Sequence, residues 1–307
     1  MVWLLLVVGF ILLVKGADLF VDGSAALADR FKIPAVIIGL TVVAFGTSAP
    51  ETAVSISAAM KGSNDIAVAN VVGSNLFNLL MVIGISSLIS PITVKRSILK
   101  SEFPLSIAVT GVLLVLCLIG KVLGRIDGIV LLVVFALFLY NLIRQAINAN
   151  EESGDEIKKM SLIKSLVLIV VGLTAIVIGG DVVVDNAQKI AKMFGMSDML
   201  IGLTIVAIGT SLPELVTSVV AAVKGQNDIA VGNVVGSNIF NVLLVLGISS
   251  AITPIAISAE AVVDMIILIG VSALCFIQAL SRGKVSRIEG LCMVAVYIAY
   301  TAYIIMR

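Results

Sequence analysis

The sequence predicts an all-α polytopic membrane protein with ten transmembrane helices, arranged as two inverted five-helix repeats. Three observations carry that prediction: apolar windows of bilayer length, an internal duplication at a constant offset, and positive charge gathered in alternate loops.

Of 307 residues, 60% are hydrophobic and 13% are charged, and the mean hydropathy is +1.20. Soluble domains are about half apolar and carry about twice that share of charge. Windows 103–120, 165–180, 265–280 and 290–306 hold no charged residue. Such lengths match the roughly 17–25 residues a helix needs to cross a bilayer. No polar/apolar alternation of the kind a membrane barrel requires is seen, so helices are the expected spanning elements. A net charge of +1 with no basic run excludes a nucleic-acid partner. Histidine is absent, which removes histidine-ligated zinc and the histidine general base together. Cys117, Cys275 and Cys292 lie in apolar windows without CxxC spacing and read as small hydrophobes.

Residues 39–92 align without gaps on 202–255, an offset of 202 − 39 = 163, with 37 of 54 pairs identical. That marks an internal duplication. Upstream, the same offset carries Asp18 onto Asp181 and Asp22 onto Asp185. The first apolar stretch is therefore part of the repeat. It also lacks the basic start and small-residue cleavage site of a signal peptide.

Taken in order, hydrophobicity, Gly/Pro punctuation and charge give spans near 2–28, 34–60, 66–90, 101–120 and 126–147. The second half gives 161–190, 197–223, 229–253, 260–281 and 287–306. Five per half is odd, so the halves cross in opposite senses. The odd-numbered loops hold thirteen Lys and Arg residues against six on the other side. By the positive-inside tendency, both termini are then outside and the odd loops cytosolic. The expected units are a first repeat over 1–147, a polar cytosolic linker over 148–160 and a second repeat over 161–307. The setting is a membrane, with the chain expected to be a monomer.

GTSAPE at 46–51 returns as GTSLPE at 209–214. Proline lacks an amide hydrogen and its ring clashes one turn back, so Pro50 leaves the Gly46 carbonyl without a helical partner. A broken helix at membrane depth is tolerated where it is packed in protein or lines a wet cavity. Thr47 and Glu51 are four apart on one helical face with Ser48 beside them, and Ser74 and Asn78 are four apart on the next helix. The second half repeats the set as Thr210, Ser211, Glu214, Ser237 and Asn241. All offer oxygen, the ligand of hard cations such as calcium, which takes six to eight. Intramembrane carboxylates are rare and mark function. Two glutamates supply the charge that one calcium ion neutralises. Asn75 and Asn238 stand one residue off this face and suit helix-to-helix hydrogen bonds, while Asp65 and Asp228 suit helix N-caps. Asp18 and Asp22 are expected at the interface, and Gly84 and Gly247 in helix packing.

GTSxPE followed by GSNxFN, once in each half, resembles the signature of the sodium/calcium exchangers of the cation/calcium antiporter superfamily. The resemblance covers essentially the whole chain and is to a compact prokaryotic member. It implies a core of the second, third, seventh and eighth helices, across which the long first helix of each half slides. It implies ligation by the carbonyls of Ala44 and Ala207 with Thr47, Ser48, Glu51, Ser74, Asn78, Thr210, Ser211, Glu214, Ser237 and Asn241. Calcium or a sodium set would occupy overlapping sites there as transported ions, with no cofactor. Potassium-dependent members carry aspartate where this chain has Asn241, which argues against potassium co-transport. Proton-coupled relatives usually show GNxxE in place of GTSxPE, so sodium is the preferred counter-ion and the proton the alternative.

Other classes fit less well. A channel predicts a pore of repeated subunits or filter loops. A hydrolase built on Ser48 lacks an evident base. A transporter for an organic substrate would want a cationic anchor, and none is present.

Overall fold

The computed structural model describes residues 1–61, 64–148, 160–196 and 207–306. The expected linker at 148–160 falls almost wholly outside these residues, as does the start of the span expected at 197–223.

Helix α1 runs Val2–Phe31 and α2 is broken, Ala35–Thr47 followed by Ala49–Met60 at a 49° bend. Helix α3 covers 64–89, α4 Arg96–Gly120 and α5 Arg125–Asn148. Helix α6 runs Leu162–Met193, and α7 is described as Ala207–Thr210 and Leu212–Val223. Helices α8, Asn227–Ile252, α9, Ala259–Arg282, and α10, Arg287–Met306, complete the chain. Among the described residues eight helices are long and apolar enough to cross a membrane, or nine with bent α2 counted as one span; Leu212–Val223 is a shorter apolar helix. The molecule is a helical membrane protein. The span expected at 101–120 begins earlier, because Arg96–Lys100 forms a helical turn ahead of Glu102.

Burial sorts these helices into a centre and a shell. The apolar windows of α3 and α8 are 72% and 94% buried, whereas those of α1, α4, α5, α6, α9 and α10 lie between 17% and 33%. The shell turns Leu4, Ile11, Val115, Leu137, Val170, Leu274 and Ile298 outward. Lipid tails cost such side chains nothing, so the apolar surface that would aggregate a soluble domain is here the solvated one.

Helices α1 and α6 are the longest, at 30 and 32 residues. At 1.5 Å per residue each spans about 45 Å, beyond the hydrocarbon thickness of about 30 Å, so both must tilt or protrude. They lie antiparallel, backbone against backbone. A Cβ on Gly16 would come within 2.8 Å of the Gly172 carbonyl, and one on Gly172 within 2.6 Å of the Phe20 nitrogen. Gly9 meets Gly179 and Gly23 meets Ser165 in the same way. Spacing of seven keeps these small residues on one stripe, the pattern that lets membrane helices approach closely. Gly84 and Gly247 pack equally tightly, against Gly290 and Gly128.

Four two-residue strands tie the halves together. Strand β1, Ile92–Thr93, pairs antiparallel with β4, Lys284–Val285, and β2, Val122–Leu123, with β3, Ile255–Ala256. Lys121 and Gly283, both at positive φ (51° and 63°), turn the chain out of the preceding helix into β2 and β4. Arg125 Nη2 donates to the Ile252 carbonyl and Arg287 Nη2 to that of Ile89. Each half thus caps a helix end of the other. These contacts come in exchanged pairs, as a two-fold relation between duplicated halves requires.

Candidate cation-binding site

Both GTSxPE segments break the helix at the serine. Ser48 (φ −82°, ψ 8°) and Ser211 (φ −93°, ψ 6°) each leave helical geometry for one residue, and the following helix restarts with proline in its first turn. Proline is well placed there, since the first-turn amides have no helical partner to lose. Glu51 and Glu214 fall in that first turn. The unpaired amides of a helix N-terminus favour negative charge. This supplies partial positive charge to carboxylates that, among the described residues, form no ion pair with a lysine or arginine.

The two glutamates are fully buried, each at 0% exposure, and each is held by hydroxyls of the other half. Ser48 donates to Glu214 Oε1 at 2.9 Å, and Ser211 to Glu51 Oε1 at 3.0 Å. Ser211 Oγ is also 3.2 Å from Ser74 Oγ, and Ser237 donates to Glu214 Oε1 at 3.5 Å. The hydroxyls of Thr210 and Thr47 stand beside Glu51 and Glu214 respectively. Thr47 also donates to Val43 and Asn233. The Ala44 carbonyl accepts the Ser48 amide at 3.0 Å and lies 3.5 Å from Thr47 Oγ1. Ala207 opens the first described turn of α7. Among the described residues no cluster of three His, Cys, Asp or Glu exists, so the charge of this layer is that of Glu51 and Glu214.

The asparagines cross the same interface. Asn78 donates its amide to Asn238 Oδ1 at 3.1 Å, and Asn241 to Asn75 Oδ1 at 3.0 Å. Asn75 and Asn238 donate to each other's backbone carbonyls at 3.1 and 3.3 Å, the helix-to-helix role expected of them. Asn78 and Asn241 each open a π-helical turn, 78–82 and 241–245. Single π turns inside helices concentrate at functional sites. A third lies at 39–43, just ahead of Ala44.

Among the buried oxygens left without a hydrogen-bond partner are four of this site: Oε2 of Glu51 and Glu214, and Oδ1 of Asn78 and Asn241. A buried acceptor left unsatisfied costs about 1–3 kcal/mol, more when charged. Here the four come as two duplicated pairs of oxygens, in one layer, on residues chosen for oxygen chemistry. Oxygen acceptors without donors are the groups a hard cation takes as ligands.

Several residues went unforeseen. Asn233 Nδ2 donates to Ser218 Oγ at 3.0 Å and reaches the Glu214 carbonyl at 3.4 Å, and Asn70 makes the matching contacts with Ser55 and Glu51. These asparagines stiffen the turn that carries each glutamate. Their signal was present, since both lie in the repeated NVVGSN run. Asp228 is not an N-cap. It sits inside the first turn of α8, and its carboxylate pairs with Lys95 at 2.8 Å. The side chain of Asp65 lies outside the described residues. A cavity of about 620 Å³ bounded by Pro34, Lys95, Glu102, Phe138 and Arg144 is separate from this layer.

A helical membrane chain whose duplicated halves meet on two buried carboxylates and paired neutral oxygens defines a class: an integral membrane protein with an internal cation site. The model of the sodium/calcium exchanger protein family matches residues 1–144 and 164–306, and the chain belongs to that family. It is 30% identical to the sodium/calcium exchanger MaX1 of Methanosarcina acetivorans, over 97% of each chain. It is 36% identical to the inner membrane protein YrbG of Escherichia coli, over 91% of this chain and 90% of the other. Among solved structures it is similar to the sodium-calcium exchanger NCX_Mj soaked with 2.5 mM Na+ and 10 mM Sr2+. There the TM-score is 0.86 at 34% identity, over 98% of this chain and 99% of that one.

Proposed function

We propose that the chain is a secondary antiporter exchanging sodium for calcium across a prokaryotic plasma membrane by alternating access. The ten-helix reading, with two inverted five-helix repeats and both termini outside, is part of this proposal. The exchanged contacts between the halves, the antiparallel α1 and α6, and membership of the exchanger family support it. The cation is held between Glu51 and Glu214, with Thr47, Ser48, Ser74, Asn78, Thr210, Ser211, Ser237, Asn241 and the carbonyls of Ala44 and Ala207 as oxygen ligands.

One observation carries the reading: two buried carboxylates face each other across the interface of the halves with no basic partner among the described residues, each keeping one oxygen without a donor. A buried charge without compensation costs several kcal/mol. The site therefore closes only when cations neutralise it. One calcium ion cancels the two charges, and sodium ions can do so on the same oxygens, so either occupant excludes the other. Exchange follows, because the empty, doubly charged site cannot be occluded and carried across.

The test is uptake of radioactive calcium into proteoliposomes loaded with sodium, beside potassium-loaded and acid-loaded controls. Uptake only against internal sodium is expected. Uptake driven by internal acid instead assigns the proton as counter-ion, with the site unchanged.

A further inference from the structure

The duplication makes every contact in one half a forecast for the other, and one forecast fails. Lys224, which caps the end of Leu212–Val223, reaches α1 and pairs with both Asp18 and Asp22 at 2.6 Å, also donating to the Asp18 carbonyl at 3.0 Å. The 163-residue offset maps Lys224 onto Lys61, and Asp18 and Asp22 onto Asp181 and Asp185 on α6. Lys61 caps the end of Ala49–Met60 in the same way. Among the described residues, however, no ion pair joins it to either aspartate, and all three side chains are exposed.

The surroundings break symmetry in the same sense. Helix α1 packs along Leu212–Val223, whereas α6 and Ala49–Met60 scarcely touch. Asn233 and Pro213 are buried, and their counterparts Asn70 and Pro50 are only half-buried. The Lys224 side of the site is shut, and the Lys61 side is open.

We propose that Lys224 and Lys61 are alternate closures of one electrostatic latch. In this state Lys224 holds α1 through Asp18 and Asp22; in the opposite state Lys61 seats between Asp181 and Asp185 while Lys224 releases α1. The inference rests on the antiporter reading, since only a molecule that opens to each side in turn needs two closures. The aspartates are spaced four apart, so both face one cation from a single helix face. The pairs lie at the rim, with Lys224 25% and the aspartates 42% and 44% exposed. Rim pairs are weak. Weakness suits a latch that opens every cycle, because a strong pair would trap one state.

The test uses the full chain with Cys117, Cys275 and Cys292 replaced by alanine, reconstituted and assayed for sodium-driven calcium uptake. Two double variants, Asp22→Cys with Lys224→Cys and Asp185→Cys with Lys61→Cys, are treated with a short bis-maleimide while ions cycle. Both pairs are expected to bridge, each bridge cutting uptake about tenfold. Presenting calcium on one side only is expected to raise one yield and lower the other. Bridging of the Lys224 pair alone during sustained uptake overturns the latch. If the native chain takes up no calcium against internal sodium, the antiporter reading fails, and the two bridging yields still judge the latch. A charge exchange guards against misfolded variants. Lys224→Asp is expected to lose about fivefold in turnover, and Asp22→Lys added to it to recover most of that. Equal loss in both variants removes the ion pair from the mechanism.

Discussion

Glu51 and Glu214 each begin a helix that restarts after a serine break, and each accepts a hydroxyl from the opposite half. On the proposed reading, a carboxylate so placed destabilises the cation-free protein and a bound ion offsets that cost. In detergent without calcium or sodium, Glu51→Gln is therefore expected to melt no lower than the parent. Calcium should raise the parent's melting temperature, since a ligand at about 100 times its dissociation constant adds roughly 2.7 kcal/mol. Glu51→Gln and Glu214→Gln should lose that rise together with calcium uptake. A calcium-dependent rise kept in either variant would place the ion elsewhere. These glutamates were legible in the sequence, because duplication repeats an expensive residue only where something holds it. The role of Asn233 was not, although the residue is repeated too. Its partners Thr47 and Ser218 come from two different helices, and such a junction follows from packing, not spacing.

Among elements, the α1–α6 pair shows how glycine sets the distance between helices. Gly172→Val would drive a side chain into the backbone of Phe20 and Gly16. Overpacking of this kind costs about 1–3 kcal/mol. The helices should part, lowering both melting temperature and exchange rate. Gly180 lies one residue beyond Gly179, yet a Cβ there meets nothing nearer than Pro213 at 3.9 Å. Gly180→Ala should therefore leave both quantities unchanged. Equal damage from the two substitutions would show that flexibility, not close approach, is what these glycines provide. The helix breaks were readable from proline and glycine. The π turns at 78–82 and 241–245 were not, since π and α turns share the same apolar periodicity and differ only in backbone pairing. The strands at 92–93 and 284–285 escaped for another reason: two residues carry no alternation to detect.

At the scale of the molecule, the buried centre of α3 and α8 and the apolar shell around it were implied by composition and by the repeated motifs. The proposed topology rests on the thirteen-to-six division of Lys and Arg between the two sets of loops, which puts both termini outside. Epitope tags at both ends of the chain should therefore be reached by antibody on spheroplasts before permeabilisation. A tag exposed only after permeabilisation would reverse the assigned orientation or change the number of crossings. The asymmetry around Lys224 and Lys61 lay beyond the sequence, because the duplication repeats the lysine and both aspartates in each half and gives no sign of which set is paired.

The bridges β1–β4 and β2–β3 also impose an order on biosynthesis. The chain leaves the ribosome from its N-terminus, so Leu123 waits for Ile255, and Ile92 for Val285. Until Val285 and Arg287 emerge, Ile92 lacks its strand partner and the Ile89 carbonyl stays uncapped. The newborn first half is an incomplete object, completed only by residues as far along the chain as Val285 and Arg287. A nonsense mutation ahead of Ile255 would leave the insertion machinery holding a chain with neither bridge made.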